Sequence, residues 1–587
     1  MGSIAQEESR MCDVLIVGGG PVGLVTAFQL AKFGGVSVTI IEKHAKSNQD
    51  QYGRAITLYP RSTEMLDQLG LADELAQECF ACRSTVSYDP CGKEVTGRGW
   101  AFMEDMKDTQ WDFALVLRQK YQEEIFRRRL RELGVHLEAP AELMSMQIAE
   151  TMPKDGRRVT AVVKDGLTGV SSTIRCKYLI GADGGRSFVR RALQVPFDGE
   201  TTEDKWVRID GMIETDMPKN RVYGAIESPT HGNVLWAALD HGATRIGFAF
   251  TAERQKGYAE FNEAAAVAEA IASVKPFKLE FKQVDWFTVY SVGQRIARNF
   301  FVQDCVFLAG DACHTHSSGA AQGMNTGMHD SVNLGWKLSL VLRGLAQPSL
   351  LQTYESERLP NVQKLINYDK DISRLMTMQL PLGWTGDPNT DPNEILGVVM
   401  AEAATFTTGL GISYESNLLN VESTTTCASK TSTLKPGQRG PDVKLLKPGT
   451  LEITRLHRET PNNARFHVVV FSGDPTYTSE SLTSLTTATL SSIISPTSTS
   501  TSPLPISWLT IPSRSGPSAY ELLGVQPLGK VFYDDAATTA YQRYGVDVKK
   551  GAVVVLRPDG WIGMICALDA TAVGEMERYF RSFLFVR

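Results

Sequence analysis

Short apolar runs in the first 200 positions alternate with longer amphipathic stretches. Such alternation is typical of an open α/β sheet, in which buried strands are joined by helices. The pattern returns after position 300 and continues as a helical repeat from Met324 to Leu342, which Gly344 is placed to end. The strand-like runs are CDVLIVGGG (12–20), VSVTIIEK (36–43), KYLIGADGG (177–185) and CVFLAGD (305–311).

The sequence pattern changes near position 200. Strand-like segments separated by Gly, Pro and Asn follow, such as WVRIDGMIE, GNVLWAALD and TRIGFAF. This pattern predicts a β-rich insert. We therefore assign residues 86–109 and 201–289 to the insert. Residues 1–85, 110–200 and 290–380 then form a discontinuous α/β domain.

The last third of the chain begins with residues 381–434, which are rich in Gly, Pro, Thr and Asn and which we expect to form a linker. Residues 435–587 contain the strand candidates RFHVVVFSG and GAVVVLRPDGWIGMI and predict a further domain. Within it, residues 478–503 are almost all Ser, Thr and small apolar residues. This composition predicts a mobile loop or insertion.

Composition excludes several classes of partner. A chain of 587 residues holds two or three domains. The net charge of -6 gives no excess of positive charge that would favour binding to nucleic acid or to an anionic membrane. No apolar run approaches the roughly 20 residues of a membrane span. Nine scattered cysteines favour a reducing compartment, so we expect a cytoplasmic protein.

A glycine fingerprint lies between the first predicted strand and the first helix. Gly18, Gly20 and Gly23 have the G-x-G-x-x-G spacing, and Glu42 ends the next strand. Glycines at these positions let the backbone approach a pyrophosphate at a helix N-terminus, and the acid can bind a ribose hydroxyl. Strand, helix and acid together predict dinucleotide binding.

Two further stretches place acids after apolar strands. Asp183 begins the D-G pair of YLIGADGGRSFVRR, and Gly310 and Asp311 follow the strand CVFLA. An isolated pair of this kind is usually a strand-ending turn. The segment AQGMN carries more information, because Gly323, Met324 and Asn325 would offer backbone N–H groups at a helix start. Such a helix start can stabilise negative charge on a reduced flavin.

These motifs, together with GRAITLYPRSTEML (53–66) and DWFTVYSVGQR (285–295), resemble the single-component aromatic hydroxylases. These FAD monooxygenases are akin to para-hydroxybenzoate hydroxylase and, more closely, to phenol hydroxylase. The resemblance implies a Rossmann-like FAD-binding domain, a β-rich substrate domain and a thioredoxin-like C-terminal domain without redox function. That last domain implies a homodimer, and we expect its deletion from about 435 to leave a monomer that keeps FAD.

The resemblance also implies roles for residues of the flavin site. Arg54 would contact the pyrophosphate, Gln119 the ribityl region and Asp311 the ribityl hydroxyls. Asp183 would serve FAD and pyridine-nucleotide handling. No second dinucleotide fingerprint occurs, so NADPH is expected as a transient co-substrate, with NADH left open. His314 and His316 lack further ligands at a suitable spacing, and we expect no metal site.

The residues that differ from the pattern of phenol hydroxylase are those expected to line the substrate pocket. Phenol hydroxylase has an aspartate at the position of Ile56, a tyrosine at Gly247, an arginine at Leu239 and a proline at Ser318, while Arg245 is kept. We place Trp236 in the same pocket. The GRAITLYPRS version resembles polyketide hydroxylases, and Gly247 would make room for a larger ring.

We therefore expect a monooxygenase that uses FAD, NADPH and O2 to hydroxylate a phenolic or polyketide-type substrate through a flavin C4a-hydroperoxide. Arg245, always charged, is the catalytic candidate, because it could stabilise a phenolate. Epoxidation, Baeyer–Villiger insertion and oxidative dearomatisation remain open on the same fold. A flavin-binding protein without turnover is the alternative from another class.

Overall fold

The computed structural model describes residues 9–47, 55–317, 319–422, 434–496 and 504–585. The elements up to residue 195 are β1 (Ser9–Met11), β2 (Val14–Val17), α1 (Pro21–Phe33), β3 (Val38–Ile41), β4 (Thr57–Leu58), α2 (Pro60–Gln68), α3 (Ala72–Glu78), β5 (Phe80–Cys82), β6 (Thr85–Tyr88), β7 (Glu94–Val95), β8 (Ala114–Val116), α4 (Gln119–Glu132), β9 (Leu137–Glu138), β10 (Ala141–Ile148), β11 (Val159–Asp165), β12 (Ser171–Cys176), β13 (Tyr178–Gly181) and α5 (Phe188–Ala192).

The remaining elements are β14 (Phe197–Thr215), β15 (Tyr223–Ser228), β16 (Gly232–Ala238), β17 (Thr244–Phe250), α6 (Ala252–Gln255), α7 (Glu263–Ser273), β18 (Leu279–Ala297), β19 (Phe301–Val302), β20 (Val306–Leu308), β21 (His314–Thr315), α8 (Gln322–Leu342), α9 (Gln352–Met376), α10 (Pro392–Glu402), α11 (Ala404–Thr407), β22 (Lys444–Leu446), β23 (Ile453–Arg455), α12 (Leu456–Glu459), β24 (Phe466–Gly473), α13 (Pro475–Leu490), β25 (Ile506–Pro512), α14 (Ala519–Leu523), β26 (Lys530–Val531), α15 (Thr539–Tyr544), β27 (Ala552–Leu556), β28 (Ile562–Cys566) and α16 (Thr571–Arg581).

The predicted α/β sheet has six strands in the order β19-β20-β13-β2-β3-β9, and all but β19 run parallel. Its central strands β2, β13 and β20 are short and largely buried, as continuous apolar runs predict. Strands β2, β13 and β20 therefore all end at one edge of the sheet. The loops that follow them carry Gly18, Asp183 and Gly310, so the three sequence motifs meet there.

The β-rich insert forms an eight-stranded sheet in the order β21-β18-β14-β17-β16-β15-β6-β7. In the pairing of β14 with β17, Arg208 lies opposite Gly247 and Asp210 opposite Arg245. Side chains alternate between the two faces of a sheet. One face packs toward the α/β domain, and the other is covered by α7 in a separate apolar cluster.

The C-terminal sheet has the order β26-β25-β24-β27-β28, with β24 and β25 parallel and β27 and β28 an antiparallel hairpin. Helix α13 connects the parallel pair, and α16 follows the hairpin. This βαβ unit followed by a hairpin and a helix is the arrangement expected of a thioredoxin-like domain. The expected fold class is confirmed.

Parts of the predicted linker and of the predicted loop form helices. Residues 392–402 form α10, which Asp391 caps by accepting from the backbone N–H of Asn393. Residues 475–490 form α13, and its buried Thr478, Leu482 and Leu485 recur at helical spacing. The high Ser and Thr content of this segment made its buried helical face hard to recognise from the sequence. Residues 423–433 and 497–503 lie outside the described residues.

A network of buried charges joins the C-terminal domain to helices α8 and α9. The Arg557 guanidinium contacts the carboxylates of Glu357, at 2.6 Å, and of Asp559, at 2.7 Å. Lys337 also contacts Glu357, at 2.7 Å, and burial lowers the pKa of Lys337 to about 8. These side chains are fully buried. Removing residues from 435 onward would therefore strip Glu357 of its arginine, which argues against a stable truncated monomer.

Among the helices of the described residues, none is both long and apolar enough to span a membrane.

Arg557→Met should destabilise the chain by about 3–5 kcal/mol, because it leaves the buried Glu357 carboxylate undercompensated. Urea unfolding followed by circular dichroism measures this. The control is Arg543→Ala, which breaks an ion pair between the same C-terminal domain and Asp108 of the β-rich insert. That pair is about half exposed, so its loss should cost about 0–1 kcal/mol. Equal losses in the two variants would contradict the importance of the buried network.

Candidate active site

The three fingerprint glycines have different surroundings. Gly18 has φ +115°, and a Cβ there would lie 2.2 Å from the carbonyl oxygen of Ala182. A Cβ on Gly23 would lie 2.0 Å from the carbonyl oxygen of Gly18. A Cβ on Gly20 would meet no atom within 4 Å. Packing thus requires glycine at positions 18 and 23. Gly20 instead borders open space at the N-terminus of α1, where a phosphate can bind.

Glu42 is fixed at the end of β3 by backbone donors. Its two carboxylate oxygens accept from the N–H groups of Gly19 and His44, each at 2.9 Å. Each oxygen keeps a second lone pair, so the predicted ribose contact is compatible with this position. The side chain is half-buried and lies at the same sheet edge as Gly20.

Gln119 begins α4 close to this edge. Its amide donates to Glu123 at 2.8 Å, and Lys46 contacts the same carboxylate at 3.3 Å. Lys46 also donates to the carbonyl of Gly19 at 3.0 Å, which connects the cluster to the fingerprint loop. Burial raises the pKa of Glu123. Arg54, the predicted pyrophosphate ligand, lies outside the described residues.

Asp183 has an evident structural role. It accepts from the Ser187 hydroxyl at 2.6 Å and from the backbone N–H groups of Phe188 and Val189 at 2.7 and 3.1 Å. It thereby holds the turn into α5. Burial raises the pKa of Asp183, despite these donors.

Asp311 differs from Asp183 in having an exposed side chain. No hydrogen bond or ion pair joins it to another residue of the described ranges. The neighbouring Gly310 has φ +61° and donates its N–H to Asp330 at 3.0 Å, which fixes the turn. Asp311 therefore presents acceptors at the sheet edge, as a residue binding ligand hydroxyls would.

Helix α8 begins beside this turn. Its N-cap, Ala321, has φ +53°. The Asn325 side chain donates to the carbonyl of Thr57 at 3.0 Å and accepts from the N–H of Tyr59 at 2.8 Å, so α8 is tied to β4. The first backbone N–H groups of a helix have no partner within the helix, and here they include Gly323 and Met324. These donors and the helix dipole favour an anionic group.

An apolar cluster lies between the start of α8 and the near face of the eight-stranded sheet. Tyr59 connects the two, because its hydroxyl donates to the carbonyl of Ala320 at 3.1 Å. We call this set the pocket cluster. Its buried members are Ile56, Tyr59, Cys82, Trp100, Met103, Met106, Ala114, Val116, Trp206, Tyr223, Ala225, Leu235, Ala237, Leu239, Ala243, Ala249, Ile372, Leu375, Met376, Leu396 and Met400.

The predicted pocket residues are divided by the sheet. Ile56 and Leu239 belong to the pocket cluster. Trp236 lies in the cluster on the opposite face, where its indole N–H donates to the carbonyl of Asn220 at 2.8 Å. Leu235 is the residue that faces the pocket, because neighbouring strand residues point to opposite faces. The placement of Trp236 in the pocket is therefore corrected, and Ser318 lies outside the described residues.

Arg245 is held in a buried ion pair. Its Nε and Nη2 donate to the two carboxylate oxygens of Asp210, at 2.6 and 2.8 Å. Bidentate pairing of this kind fixes both side chains and compensates the charge. The expected role of Arg245 as the cation that stabilises a phenolate is weakened by this pairing.

The space above Gly247 is filled. A Cβ on Gly247 would lie 2.4 Å from Nη1 of Arg208 and 2.6 Å from its Cδ. The expectation that Gly247 leaves room for a larger substrate is therefore wrong in its simple form, because a buried guanidinium occupies that room. Sequence reasoning missed Arg208. The signal was an arginine inside the strand pattern WVRID, at a position that shares a face with Trp206 and Asp210.

His314 belongs to a buried polar group that supports the sheet edge. Its Nε2 lies 2.7 Å from Asp330, and Arg358 Nε donates to the other carboxylate oxygen at 2.7 Å. Burial would raise the pKa of Asp330, but Arg358 and His314 outweigh it and lower the value to about 2. These contacts account for the conformation of the His314 segment.

Comparisons with known proteins agree with this arrangement. A sequence model of the FAD binding domain matches residues 11–369, and one of the phenol hydroxylase C-terminal dimerisation domain matches residues 412–587. The phenol 2-monooxygenase fsqG of Aspergillus fumigatus is 29% identical over 585 residues, which cover 95% of this chain and 94% of fsqG.

Two solved structures share the fold. The flavin-dependent monooxygenase PieE, in complex with FAD and substrate, has a TM-score of 0.70 and 23% identity, covering 97% of this chain and 99% of its own. Aklavinone-11 hydroxylase, in complex with FAD and aklavinone, has a TM-score of 0.69 and 21% identity, covering 97% and 98%. The domain architecture is therefore common to all three chains.

Gly20→Ala and Gly18→Ala should have opposite profiles. Gly20→Ala should leave the melting temperature of the apoprotein unchanged but lower FAD retention, because its methyl group enters only the open space at α1. Gly18→Ala should destabilise the apoprotein itself, since the new Cβ meets the backbone at positive φ. Calorimetry of apoprotein and flavin absorbance per chain measure both effects. Full FAD retention by Gly20→Ala would show that the dinucleotide does not approach this loop.

Proposed function

The chain belongs to the FAD-dependent monooxygenases that carry a phenol hydroxylase-type dimerisation domain, and we propose that it hydroxylates a phenolic or polyketide-type aromatic substrate with NADPH and O2. The observation that carries this proposal is the pocket cluster. It lies between the N-terminus of α8 and the sheet, where an aromatic ring would be held against the flavin site.

The residues present fit FAD. The open space beside Gly20 suits the pyrophosphate, and the exposed Asp311 suits the ribityl hydroxyls. We assign the adenosine ribose to Glu42 and the anionic edge of the ring system to the backbone N–H groups at the start of α8. Bound there and reduced by NADPH, FAD would supply the chemistry that activates O2, with one oxygen atom going to the aromatic ring and the other to water.

The protein would contribute a pocket that orients the substrate and excludes water from it. The buried Tyr59 lines the cluster from the side of the α/β domain. Trp100, Trp206 and Tyr223 line it from the β-rich insert. An apolar wall of this kind excludes water, which would otherwise compete for the activated oxygen. Helix α10 closes the cluster with Leu396.

Three finer assignments belong to this proposal. NADPH, in preference to NADH, would reduce the flavin without a resident domain of its own, since the sequence has one glycine fingerprint. Residues 412–587 would join two copies of the chain into a homodimer. The cytoplasm supplies both the reductant and the reducing conditions that suit the scattered cysteines.

The purified protein should be yellow and should release FAD on acid precipitation. Addition of a phenolic substrate should stimulate NADPH oxidation at least several-fold, and product formed under ¹⁸O2 should gain one labelled oxygen atom. NMR of the product distinguishes ring hydroxylation from epoxidation, Baeyer–Villiger insertion and dearomatisation. The matched control is Asp311→Ala, which should lose flavin and activity together.

Bound FAD without substrate-dependent NADPH oxidation across a panel of simple and polycyclic phenols would contradict a monooxygenase. That result would favour a flavin-binding protein without turnover. FMN in place of FAD would contradict the assignment of Glu42 and Gly20 to an adenosine half.

The intact chain should sediment as a dimer with twice the mass of the 64.5 kDa chain. Analytical ultracentrifugation over a hundredfold concentration range measures this. A monomer throughout that range would contradict the proposed role of residues 412–587.

A further inference from the structure

The imidazole of His316 has two nitrogens with different surroundings. Nδ1 lies 2.9 Å from the carbonyl oxygen of Ser317. A carbonyl oxygen can only accept, so Nδ1 carries the hydrogen and, in the neutral ring, Nε2 is an acceptor. Nε2 is buried, and no residue of the described ranges gives it a hydrogen-bond partner. A buried acceptor of this kind implies a donor that comes from a bound molecule.

The neighbouring Ser317 is held in place from helix α9. Its backbone N–H and its hydroxyl donate to the carboxylate of Asp369, at 2.7 and 2.5 Å. Gln294 donates to the same buried carboxylate at 2.8 Å. Because these bonds fix Ser317, they also fix the carbonyl that keeps the hydrogen on Nδ1 of His316. Nε2 therefore stays the acceptor.

The ring of His316 lies at the start of α8, beside the pocket cluster. A Cβ on Gly323 would lie 3.9 Å from Cε1 of His316. The loop between these two residues contacts the pocket cluster, since a Cβ on Gly319 would lie 2.9 Å from Cγ2 of Ile372. The imidazole is thus near the place where an aromatic ring would be held against the flavin site.

His314 differs from His316, although the two rings are stacked with centroids 6.4 Å apart. Its Nε2 is bonded to Asp330, and its Nδ1 has no hydrogen-bond partner among the described residues. The His314 side chain is fully buried, and its ring centroid lies 6.2 Å from that of Phe300. His316 is only half-buried. His314 therefore supports the fold, whereas a ligand can reach His316.

The ionisable side chains among the buried members of the pocket cluster cannot take a proton at neutral pH. Burial raises the pKa of Tyr59 and of Tyr223, and it raises the pKa of Cys82 to about 11, so all three stay protonated. The Asp210 carboxylate accepts from Arg245 through both of its oxygens. Among the described residues, the imidazole is therefore the group best placed to accept a proton from a ligand in this pocket.

We propose that His316 is the catalytic base of this active site and that its Nε2 takes the hydroxyl proton of a neutral phenolic substrate. The inference rests on the proposed function. The O–H bond breaks, its electron pair stays on the oxygen as a phenolate, and the proton forms an N–H bond with Nε2. The same nitrogen returns the proton to that oxygen once the ring has been hydroxylated.

The chemistry of the reaction requires such a group. Oxygen transfer from a flavin is electrophilic, so the aromatic ring reacts faster when its hydroxyl is ionised. The apolar members of the pocket cluster disfavour a buried phenolate by desolvation. An imidazolium formed beside the phenolate offsets this cost, because the two charges are opposite. A base in the protein also removes the need for an acidic substrate, so phenols that are neutral in solution are the expected substrate class.

The first experiment follows the ionisation of a bound phenol without turnover. 4-Nitrophenol and the polycyclic alizarin, whose ionised forms absorb at longer wavelength, are bound to the FAD-loaded protein and titrated with acid. The wild type should keep the bound probes ionised to a pH about 1 unit or more below that of the free probes. His316→Gln can accept a hydrogen bond but cannot take a proton, so the midpoint should rise by about 1 to 3 units.

His136→Gln is the matched control, because His136 is exposed and follows α4 outside the pocket cluster. Its titration should equal that of the wild type. Equal flavin absorbance per chain in the three proteins excludes general misfolding.

Other charged groups near the loop are unchanged in both variants. They lie on the loop itself or on the elements that contact it and include Asp311, His314, Asp330, Arg358, Asp369, Arg190 and Arg295. A difference between His316→Gln and the wild type therefore reports on His316.

The second experiment varies the acidity of the substrate. NADPH oxidation stimulated by 4-methylphenol, which is neutral at pH 7, should fall about a hundredfold in His316→Gln. 4-Nitrophenol supplied above the pH at which it ionises needs no base, so its stimulated rate should change less than about threefold. A ring that only supported the fold would slow both substrates equally, and that result would contradict the inference.

The inference is overturned if His316→Gln and the wild type ionise the bound probes at the same pH, or if the wild type binds neither probe. It is overturned equally if His316→Gln shifts the absorption of the oxidised flavin without any probe and leaves the probe titration unchanged, since the flavin would then be the donor. Failure of the proposed function has a different signature, namely His316-dependent ionisation of bound phenols without stimulated NADPH oxidation.

Discussion

The structure depends on the compensation of charges buried along helix α8. Asp330 accepts from Gly310 and lies against Arg358, while Lys337 lies against Glu357, which Arg557 also contacts. An uncompensated charge in such an interior costs several kcal/mol, so each partner has little freedom to move. Through these pairs one helix fixes the turn of the flavin site, helix α9 and the C-terminal domain relative to one another.

The position of the active site follows from that constraint. The N-terminus of α8 can stabilise a charged ligand group only if its position is fixed. Asn325 fixes it, because its side chain donates to the carbonyl of Thr57 and accepts from the N–H of Tyr59. Tyr59 in turn belongs to the pocket cluster. The start of α8 and the pocket cluster therefore share a wall, and none of the described residues of 435–587 belongs to that cluster.

The flavin half of the molecule could be predicted from sequence because its requirements are local. Gly18 must be glycine where its backbone touches Ala182, and Gly20 borders open space at the helix start that the glycine spacing predicts. The substrate half could not be predicted to the same depth. A shift of one residue moves a strand side chain to the other face, which is why Trp236 was assigned in place of Leu235. Helix α13 was missed because threonine fills buried helical positions that are usually apolar.

Arg208 illustrates the remaining gap. Its meaning depends on a cross-strand neighbour 39 positions away, and no local pattern relates an arginine in WVRID to a glycine in TRIGFAF. Register relates them, and register is set by burial of the whole sheet. Once the pair is seen, the small residue at 247 and the buried arginine at 208 are explained together, because a side chain at 247 would displace the guanidinium. Trp206 and Tyr290 lie on the same face beside Arg208, so this wall combines aromatic rings with a buried cation.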